Sequence, residues 1–544
     1  MDAGGPMDRR TPWSGRPDLW AGALILGTTL ARLAFAASGQ LDLVQDEAQY
    51  WDWSRTFQFS YFTKGPLIAW IIGLWTWLLG DSALAVRLGA VLGSALMQVT
   101  VYLGLSRLFG RPRLGLLCLL VLNTTLLFLA AGTLMTTDNP LMVCWWVALF
   151  ALYAAGRDPG ARWPFVALAA ALAVGTWGKY MMLAFAVTAV LHGVLLRRRL
   201  LDSPLFWRRL ALALAVGAGL GLAPILLWNL GNDFAGFKHV AHLGGLAGSR
   251  AQSFIRFDRF AEYYGSQFGL LMPWWFVMTL VGAWGALRSL GNGRSRAARA
   301  VSSLDYSQRA LLVAGFWPVW GFFALWCFHT KVHPNWSAVS YASGFILAAV
   351  VWERILLARG WRHWKVWTWP AVGALVFVLW LGHDLVPMPY RVELANPFTG
   401  RTAVLENPAL HLKGWEDMGR EVDRLRRTRF ADPGRVFLFG NHYDVTAELG
   451  WVVPGRERAY CVNVGRRLNQ YDLWPGPEGK MGWDAIYVRQ KFKGGVEPGV
   501  EELFDKTVQI HYQSMHRGRP ARQFTIALCY GFKGKWPRPA SSGY

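Results

Sequence analysis

Long apolar segments alternate with short polar segments over the first 386 residues of this chain. A helix needs about 20 apolar residues to cross the hydrocarbon core of a bilayer, and eleven segments approach or exceed that length. The predicted spans are 19–37, 82–109, 114–131, 140–156, 163–177, 180–196, 210–230, 264–290, 311–328, 336–357 and 367–386. The pattern therefore predicts a polytopic α-helical membrane protein with about 11 transmembrane helices.

The segment 38–81, between the first two predicted spans, is too polar and too interrupted to cross a membrane. It places the acidic pair Asp46-Glu47 among aromatic residues, and Lys64 follows just before the helix-breaking pair Gly65-Pro66. Its apolar patches predict helices that lie in the membrane interface. We expect this loop to be the chemical centre of the chain.

From residue 387 onward the pattern changes. Short runs rich in β-branched and aromatic residues are typical of strands, and they occur at 435–440, 459–464, 483–488, 506–512 and 524–530. The charged stretch 415–428 predicts a helix. Residues 1–386 are therefore predicted to form a transmembrane domain, and residues 387–544 a small domain of α/β or α+β type.

Arginine and lysine are concentrated in alternate loops of the transmembrane part, at 107–113, 157–162, 197–209, 294–299 and 359–365. Basic loops mark the cytoplasmic side, so the other loops and the C-terminal domain are predicted to face outward. The outward set contains loop 38–81, the turn at Asp138, loop 232–260 and loop 329–335. Together with the C-terminal domain, these make five polar sites from distant parts of the chain that should meet on one face of the membrane.

Composition supports a membrane protein, with 53% hydrophobic residues, 17% charged residues and 31 Trp. The net charge of +22 would also suit a nucleic-acid-binding protein. The basic residues lie in short loops, however, and the sequence has no motif of the usual recognition folds, which argues against nucleic acid. No small-residue cleavage site follows the first apolar segment, so we expect that segment to remain as the first span.

Three outward carboxylates, Asp46, Glu47 and Asp138, are candidates for chemistry, because a carboxylate at the rim of a membrane bundle is costly to desolvate. Asp46 and Glu47 could equally be solvated loop charges. Asp138, just before Pro140, could cap a helix N-terminus.

Two lysines interrupt apolar sequence on the same face. Lys64 lies in YFTKGPL and Lys179 in GTWGKYMML. Such lysines either extend their ammonium groups to the interface or meet an anion. Because both share a face with carboxylates, we expect a phosphate site, for which an ammonium serves as a point charge.

Other features indicate less. His329 and His333 could ligate a metal, although loop histidines more often form hydrogen bonds. No GxxxxGK[ST] motif occurs, which argues against ATP-driven work. If the C-terminal part is extracytoplasmic, the oxidising environment would allow Cys461 and Cys529 to form a disulfide.

Taken in order, several motifs resemble the membrane glycosyltransferases of the protein O-mannosyltransferase type, to which the bacterial lipid A aminoarabinose transferase is related. After the outward Asp-Glu pair, the motifs are YF-x-K-x-P-L-x-x-W in the first loop, AVRLGA, TTDNPLMVCWW, GKYMML, VHPNWSAVSYASG and NQYDLWPGPEG. Each motif is weak alone, but their order and spacing cover nearly the whole chain.

The resemblance implies a GT-C fold and an inverting transfer of a sugar from a polyprenyl monophosphate to a lipid, glycan or protein hydroxyl. Asp46 matches the catalytic acidic residue, Glu47 its neighbour and Asp138 the second acidic position. On the same basis we assign the donor phosphate to Lys64, Lys179, Arg87 and Lys331, and substrate contacts to Tyr61, Tyr180, His333 and Asn335.

Two further expectations follow from the resemblance. The protein should be a monomer in the bacterial inner membrane, with its C-terminal domain in the periplasm and membrane lipid around its spans. Some relatives carry an acidic residue or histidine where this chain has Thr63 or Gly65. A divalent cation therefore stays possible as a cofactor but is not predicted.

Two alternatives of other classes stay open. Many spans with charged residues would also suit a secondary transporter or flippase for a lipid-linked or anionic substrate, and a non-catalytic subunit of an envelope assembly would tolerate loss of the carboxylates. Transporters place their charges near the membrane midplane in broken helices and often show repeated halves. Here the charges lie at one rim and no repeat is evident, which favours the enzyme.

Overall fold

The structure, a computed structural model, describes residues 16–197, 203–243, 257–291, 295–384, 391–395, 402–406, 412–492 and 495–537. As far as residue 381, the regular secondary structure of the described residues is helical. They are α1 (Pro17–Ala37), α2 (Gln45–Ser54), α3 (Leu67–Leu79), α4 (Ala83–Leu103), α5 (Pro112–Asn123), α6 (Leu126–Ala131), α7 (Asp138–Arg157), α8 (Trp163–Gly178), α9 (Phe185–Arg197), α10 (Pro204–Leu230), α11 (Ala235–Leu243), α12 (Phe257–Leu271), α13 (Pro273–Leu290), α14 (Arg296–Ala300), α15 (Tyr306–Trp326), α16 (Tyr341–Arg359) and α17 (Thr368–Leu381).

The described residues contain seven helical segments long and apolar enough to cross a membrane, or eight if the bent pair α12–α13 is one span. The seven are Pro17–Ala37, Ala83–Leu108, Asp138–Arg157, Tyr180–Arg197, Pro204–Leu230, Tyr306–Trp326 and Ala338–Arg359. The shorter apolar helices α5, α8 and α17 fall in the other three predicted spans. The chain is a multi-pass membrane protein in which every predicted span is helical.

Two of the predicted spans are broken. Segment 264–290, predicted as one helix, bends by 103° between α12 and α13. Met272 at the bend has φ of 67°, and Pro273 after it cannot donate a backbone hydrogen bond, so a straight helix cannot pass this point. Segment 114–131 is interrupted after Asn123, and α6 restarts with the Thr125 hydroxyl accepting the Phe128 N–H.

Loop 38–81 contains the two helices α2 and α3, as its apolar patches predict. α3 is apolar along its whole length and leaves large side chains exposed, with Trp77 80% accessible. An exposed apolar helix of this kind suits the membrane interface. α2 is shorter and mostly buried, and it carries Asp46 and Glu47 in its first turn.

The C-terminal part contains a hairpin, a five-stranded sheet and three helices. These elements are β1 (Arg391–Ala395), β2 (Thr402–Glu406), α18 (Trp415–Arg429), β3 (Val436–Gly440), α19 (Tyr443–Val452), β4 (Tyr460–Cys461), β5 (Asp484–Gln490), α20 (Pro498–Glu501), β6 (Phe504–His516) and β7 (Arg519–Phe532). The five predicted strands and the predicted helix are confirmed. The hairpin β1–β2 and helix α19 were not predicted.

The sheet has the order β4-β3-β5-β7-β6. β3 runs parallel to both β4 and β5, whereas β7 is antiparallel to β5 and β6. The carboxyl end of β3, and the start of α19 after it, lie at the end of the sheet that faces loop 38–81.

The C-terminal domain is docked on loop 38–81. The rings of Trp51 in α2 and Trp451 in α19 meet edge to face with centroids 4.9 Å apart. The Phe62 N–H donates to the Gln470 side-chain oxygen at 2.7 Å, within the NQYDLWPG motif. Buried aromatic contacts and hydrogen bonds of this kind hold the two parts together and enclose the space between them.

The possible disulfide between Cys461 and Cys529 is wrong. Both thiols are free and buried. Cys461 is in β4 and Cys529 in β7, and β3 and β5 lie between these strands. Three strand spacings of about 4.8 Å exceed the Cα separation of about 7 Å that a disulfide permits.

Candidate active site

A cavity of about 920 Å³ lies between loop 38–81, the α8–α9 break, the end of α15 and the C-terminal domain. Its titratable lining residues are Asp46, Tyr50, Lys64, Lys179, Tyr180, His239, His442, Tyr443, Arg466 and Arg467. Its apolar lining includes Met181, Ala184, Val240, Phe322, Phe323, Trp326 and Trp336. One wall is thus charged and another is apolar, a combination that suits an amphiphilic ligand.

Asp46 is the carboxylate among the residues described as lining this cavity. It lies in the first turn of α2, where the positive end of the helix favours the ionised form. Burial nevertheless raises the pKa of Asp46, and the Lys64 ammonium partly opposes this rise. A carboxylate with a raised pKa is a stronger base than one in water, which suits Asp46 to accept a proton.

A tight backbone turn presents Lys64 to the cavity. Tyr61 and Lys64 exchange backbone hydrogen bonds of 3.0 and 3.4 Å. A Cβ atom on Gly65 would lie 2.1 Å from the Trp177 carbonyl oxygen, so only glycine lets this turn approach α8. Burial lowers the pKa of Lys64, as does Lys179, whereas Asp138 and Asp46 oppose that effect. The turn therefore brings Lys64 within electrostatic reach of three charged groups.

Asp138, Lys179 and Asn335 form one hydrogen-bonded group, although they come from three distant segments. The Lys179 ammonium donates to Asp138 Oδ1 at 2.7 Å, and the Asn335 amide donates to Asp138 Oδ2 at 2.7 Å. Asp138 is the first residue of α7, and the N-cap position before it is occupied by Thr137. The capping role considered for Asp138 is therefore absent, and Lys179 meets an anion rather than only the interface.

Glu47 and Arg87 lie behind the cavity and not in its lining. Both side chains are fully buried, and Arg87 Nη2 lies 2.9 Å from Glu47 Oε2. Glu47 also accepts the Val44 and Met135 N–H groups. The remaining Arg87 donors bind the carbonyls of Leu41 and Asp42. All three guanidinium nitrogens of Arg87 are engaged inside the protein and the side chain is fully buried, so this geometry favours a structural role for both residues over the predicted phosphate contact.

Tyr61 and Lys331 also depart from their predicted places. Tyr61 is buried, stacks on Trp53 at 4.9 Å and donates its hydroxyl to the carbonyls of Trp53 and Thr56. Lys331 is half exposed and pairs with Glu262 at 2.6 Å. Tyr61 therefore supports the Lys64 turn, and Lys331 lies outside the cavity lining.

Tyr180 and His333 lie closer to their predicted places. Tyr180 lines the cavity directly after Lys179. His333 is exposed at the rim, with its ring 5.4 Å from that of the lining residue Trp336. Burial lowers the pKa of His333, and Lys331, Lys179 and Lys64 lower it further.

Several lining residues come from segments that the sequence did not single out. His442 and Tyr443 follow shortly after β3, and Arg466 and Arg467 follow β4, whereas His239 lies in the predicted outward loop 232–260 but was not itself predicted as a site residue. Polar residues at the carboxyl end of a parallel strand often bind ligands, which is the signal that could have found His442 and Tyr443. His442 Nδ1 lies 2.9 Å from Asp444 Oδ1.

Within the described part of the chain, no group of three or more His, Cys, Asp or Glu side chains could hold a metal ion. At the positions where some relatives carry possible ligands, this chain has Thr63 and Gly65.

Comparison with known proteins identifies similar transferases. A family model described as dolichyl-phosphate-mannose-protein mannosyltransferase matches residues 63–228. A lipid A galacturonosyltransferase of Rhizobium johnstonii is 27% identical over 339 residues, 60% of this chain and 64% of that protein. An undecaprenyl phosphate-α-4-amino-4-deoxy-L-arabinose arabinosyl transferase of Edwardsiella ictaluri is 30% identical over 178 residues, 30% of this chain and 32% of that protein. Both matches span less than two thirds of the relative.

Solved structures match over a greater length. ArnT from Cupriavidus metallidurans in the apo state superposes with a TM-score of 0.56 at 15% identity, over 93% of this chain and 97% of that chain. The same protein bound to undecaprenyl phosphate gives 0.55 at 16% identity and the same coverage. The resemblance drawn from the motifs is confirmed: the chain has the GT-C fold and is similar in sequence to GT-C membrane glycosyltransferases.

Proposed function

We propose that this protein is an inverting glycosyltransferase that moves a sugar from a polyprenyl phosphate to a hydroxyl of a lipid, glycan or protein. The observation that carries the proposal is the shared cavity, in which Asp46 and Lys64 lie within electrostatic reach of each other next to an apolar wall. The relatives support it by name, since one acts on lipid A and another uses an undecaprenyl phosphate sugar.

The two walls of the cavity suit the two ends of the donor. Phe322, Phe323 and Trp326 on α15 form an apolar surface that would accept prenyl units. Lys64 and Lys179, on the charged side, would hold the phosphate. This division explains why the site combines lysines with aromatic residues at a membrane rim.

The transfer step needs a base and an electrostatic stabiliser of the leaving group. Asp46 takes the proton of the acceptor hydroxyl while that oxygen forms a bond to the anomeric carbon. On the opposite face of the sugar, the bond from the anomeric carbon to the phosphate oxygen breaks, and its electrons leave with the polyprenyl phosphate monoester. Lys64 stabilises the charge that grows there, so neither nucleotide nor metal is needed.

Asp138 and Asn335 then serve to position another side chain and do not transfer protons. They hold the Lys179 ammonium at the α8–α9 break, where it faces the cavity. Glu47 and Arg87 fix the first turn of α2 and so orient Asp46. The enzyme would work as a monomer in the bacterial inner membrane, with the cavity and the C-terminal domain on the periplasmic side.

Asp46→Asn tests the proposal. In purified protein in nanodiscs, transfer from a radiolabelled polyprenyl-phosphate sugar should fall by about 10²–10⁴-fold, the usual contribution of a general base. Asp505→Asn, an exposed carboxylate of β6, is the matched control and should keep full activity. Full transfer by the Asp46 variant would end the assignment. Movement of the lipid-linked sugar across liposomes without any product would favour a flippase.

A further inference from the structure

The C-terminal domain contributes a loop, residues 463–469, to the roof of the cavity. Arg466 anchors this loop through a two-point ion pair with Asp472, with Nη1–Oδ2 at 2.7 Å and Nη2–Oδ1 at 3.0 Å. Its Nε also donates to the Val462 carbonyl at 3.0 Å. Because every guanidinium nitrogen of Arg466 is engaged, this residue serves the loop and not a ligand.

The next residue, Arg467, lines the cavity with an exposed side chain. Within the described part of the chain its guanidinium makes no hydrogen bond or ion pair; the contact at this residue is Arg466 Nη1 donating to the Arg467 carbonyl at 2.9 Å. An arginine held on a rigid loop and left with five donors facing a substrate-sized cavity is equipped to bind a carboxylate or a phosphate.

The other cations of the cavity already have assigned anions. Lys179 pairs with Asp138, and Arg466 pairs with Asp472. Lys64 lies within reach of Asp46 and is needed for the donor phosphate. Among the charged groups described as lining the cavity, Arg467 is the one that has no anion assigned to it.

His239 of α11 lines the same cavity. Its Nδ1 is buried and has no hydrogen-bond partner among the described residues. Burial lowers the pKa of His239 to about 4, and Lys64, Arg467 and His242 add to this effect. A neutral imidazole can donate a hydrogen bond to an anion without adding charge, and His239 and Arg467 line the same cavity.

We propose that Arg467 and His239 form a second anion subsite, which takes a phosphate or a carboxylate of the substrates other than the phosphate of the donor. This subsite rests on the proposed sugar transfer for the identity of its ligand. Lys64 is fixed by the helical domain, whereas Arg467 is fixed by the C-terminal domain, so a substrate with two anionic groups would bridge the two domains. The protein would then select for a charged acceptor or for a uronic acid sugar.

Protection of Arg467 from phenylglyoxal, which modifies accessible guanidinium groups, tests the subsite without requiring activity. The full chain in nanodiscs is treated with the reagent alone, or with undecaprenyl phosphate, phosphorylated lipid A, dephosphorylated lipid A or undecaprenyl-phosphate-linked galacturonate. Adducts are counted by mass spectrometry. Arg435, an exposed arginine after α18, is the internal control and should react equally in every sample.

Protection by phosphorylated but not by dephosphorylated lipid A would assign the subsite to an acceptor phosphate. Protection by the galacturonate donor, but not by undecaprenyl phosphate, would assign it to a sugar carboxylate. If undecaprenyl phosphate alone protected Arg467 as well as the other ligands do, Arg467 would bind the donor phosphate and the second subsite would be overturned. A lack of protection by every ligand would also overturn it. Protection in a protein that transfers no sugar would leave the subsite standing and contradict the proposed function instead.

Kinetics then separates binding from chemistry. Arg467→Gln should raise the KM of the substrate that carries the second anion by about tenfold or more, with kcat unchanged, because it removes a ground-state contact. Arg467→Lys should restore part of the affinity, and Lys506→Gln, an exposed cation of β6, should change nothing. A fall in kcat for every substrate, at constant KM, would show that Arg467 acts elsewhere.

Discussion

Two pairs of a carboxylate and a basic side chain lie at or behind the cavity, and they have different roles. Glu47 and Arg87 are fully buried at 2.9 Å, and each is further bonded to backbone groups. Asp138 and Lys179 pair at 2.7 Å with about an eighth of each side chain accessible, and Lys179 lines the cavity. The first pair is part of the scaffold, and the second is part of the site.

The difference teaches that the surroundings of a charge, and not its residue type, indicate its role. Each oxygen of Glu47 accepts at least two hydrogen bonds from the protein and the side chain is fully buried, so this carboxylate has nothing left to offer a substrate. Asp46, one residue before Glu47, keeps its carboxylate in the cavity. Three predictions would break or sharpen this contrast, and a variant of the buried pair should have the largest effect.

Glu47→Ala should destabilise the protein by about 3–5 kcal/mol, because it leaves the buried Arg87 guanidinium without a counter-charge. The expected result is a large fall in the thermal unfolding temperature and poor recovery of monodisperse protein. Asp138→Ala, at the accessible pair, should be better tolerated in the same measurement. Equal losses of stability would show that the two pairs do not differ.

The double variant Glu47→Gln with Arg87→Met keeps that test specific. It removes both charges and retains one amide oxygen for the Val44 or Met135 N–H, so part of the lost stability should return. If the protein that folds still transfers sugar, the pair is structural. If it folds but is inactive, the pair is needed for activity, either because it orients Asp46 or through the catalytic and phosphate-binding roles predicted for Glu47 and Arg87.

Lys179→Ala should weaken donor binding by about 10–100-fold, the usual value of a charge-assisted contact, and should affect the acceptor less. Titration of undecaprenyl phosphate into the protein in nanodiscs measures this. Lys331→Ala is the matched control, since its half-exposed ammonium pairs with Glu262 and lies outside the described cavity lining. Equal donor affinity in both variants would show that Lys179 only extends its ammonium group to the interface. A loss of donor affinity in Lys331→Ala would instead support the phosphate role predicted for Lys331.

Glu448 in α19 is a buried carboxylate without a cation, and it gives the smallest expected effect. Neither oxygen has a hydrogen-bond partner among the described residues. Burial raises the pKa of Glu448 well above 4.5; Asp42, Glu47 and Asp444 add to this, and Arg522 opposes it. The folded protein therefore holds a proton that the unfolded chain releases above about pH 4.5, so stability falls as the pH rises through the folded pKa.

Glu448→Gln should remove that dependence, so the stability of the variant relative to the native protein should rise between pH 5 and pH 8, by about 1–3 kcal/mol, the cost of an unsatisfied buried polar group. Thermal unfolding of both proteins from pH 5 to pH 8 measures the effect. Parallel curves for the two proteins would show that Glu448 is already paired when folded.

The sequence was most informative where a pattern is long. Apolar runs predicted the helical spans, and short runs rich in β-branched and aromatic residues predicted the five strands of the sheet, because bilayer thickness and the side-chain preferences of strands act locally. The family motifs also predicted that Asp46, Lys64, Asp138, Lys179 and Asn335 share a region. Helix α19 and the hairpin β1–β2 were missed, because neither has a period long enough to separate it from a loop.

The positions of the apolar spans and the candidate residue types were determined by the sequence itself, since hydropathy acts along the chain. Only the tertiary structure decided which charges face a substrate. Asp46 and Glu47 are neighbours in one helical turn, about 100° apart around the axis, so one carboxylate enters the cavity and the other meets Arg87. Arg467 is part of the site because the C-terminal domain, which is distant in sequence from loop 38–81, folds over the cavity. No local sequence pattern indicates such a contact.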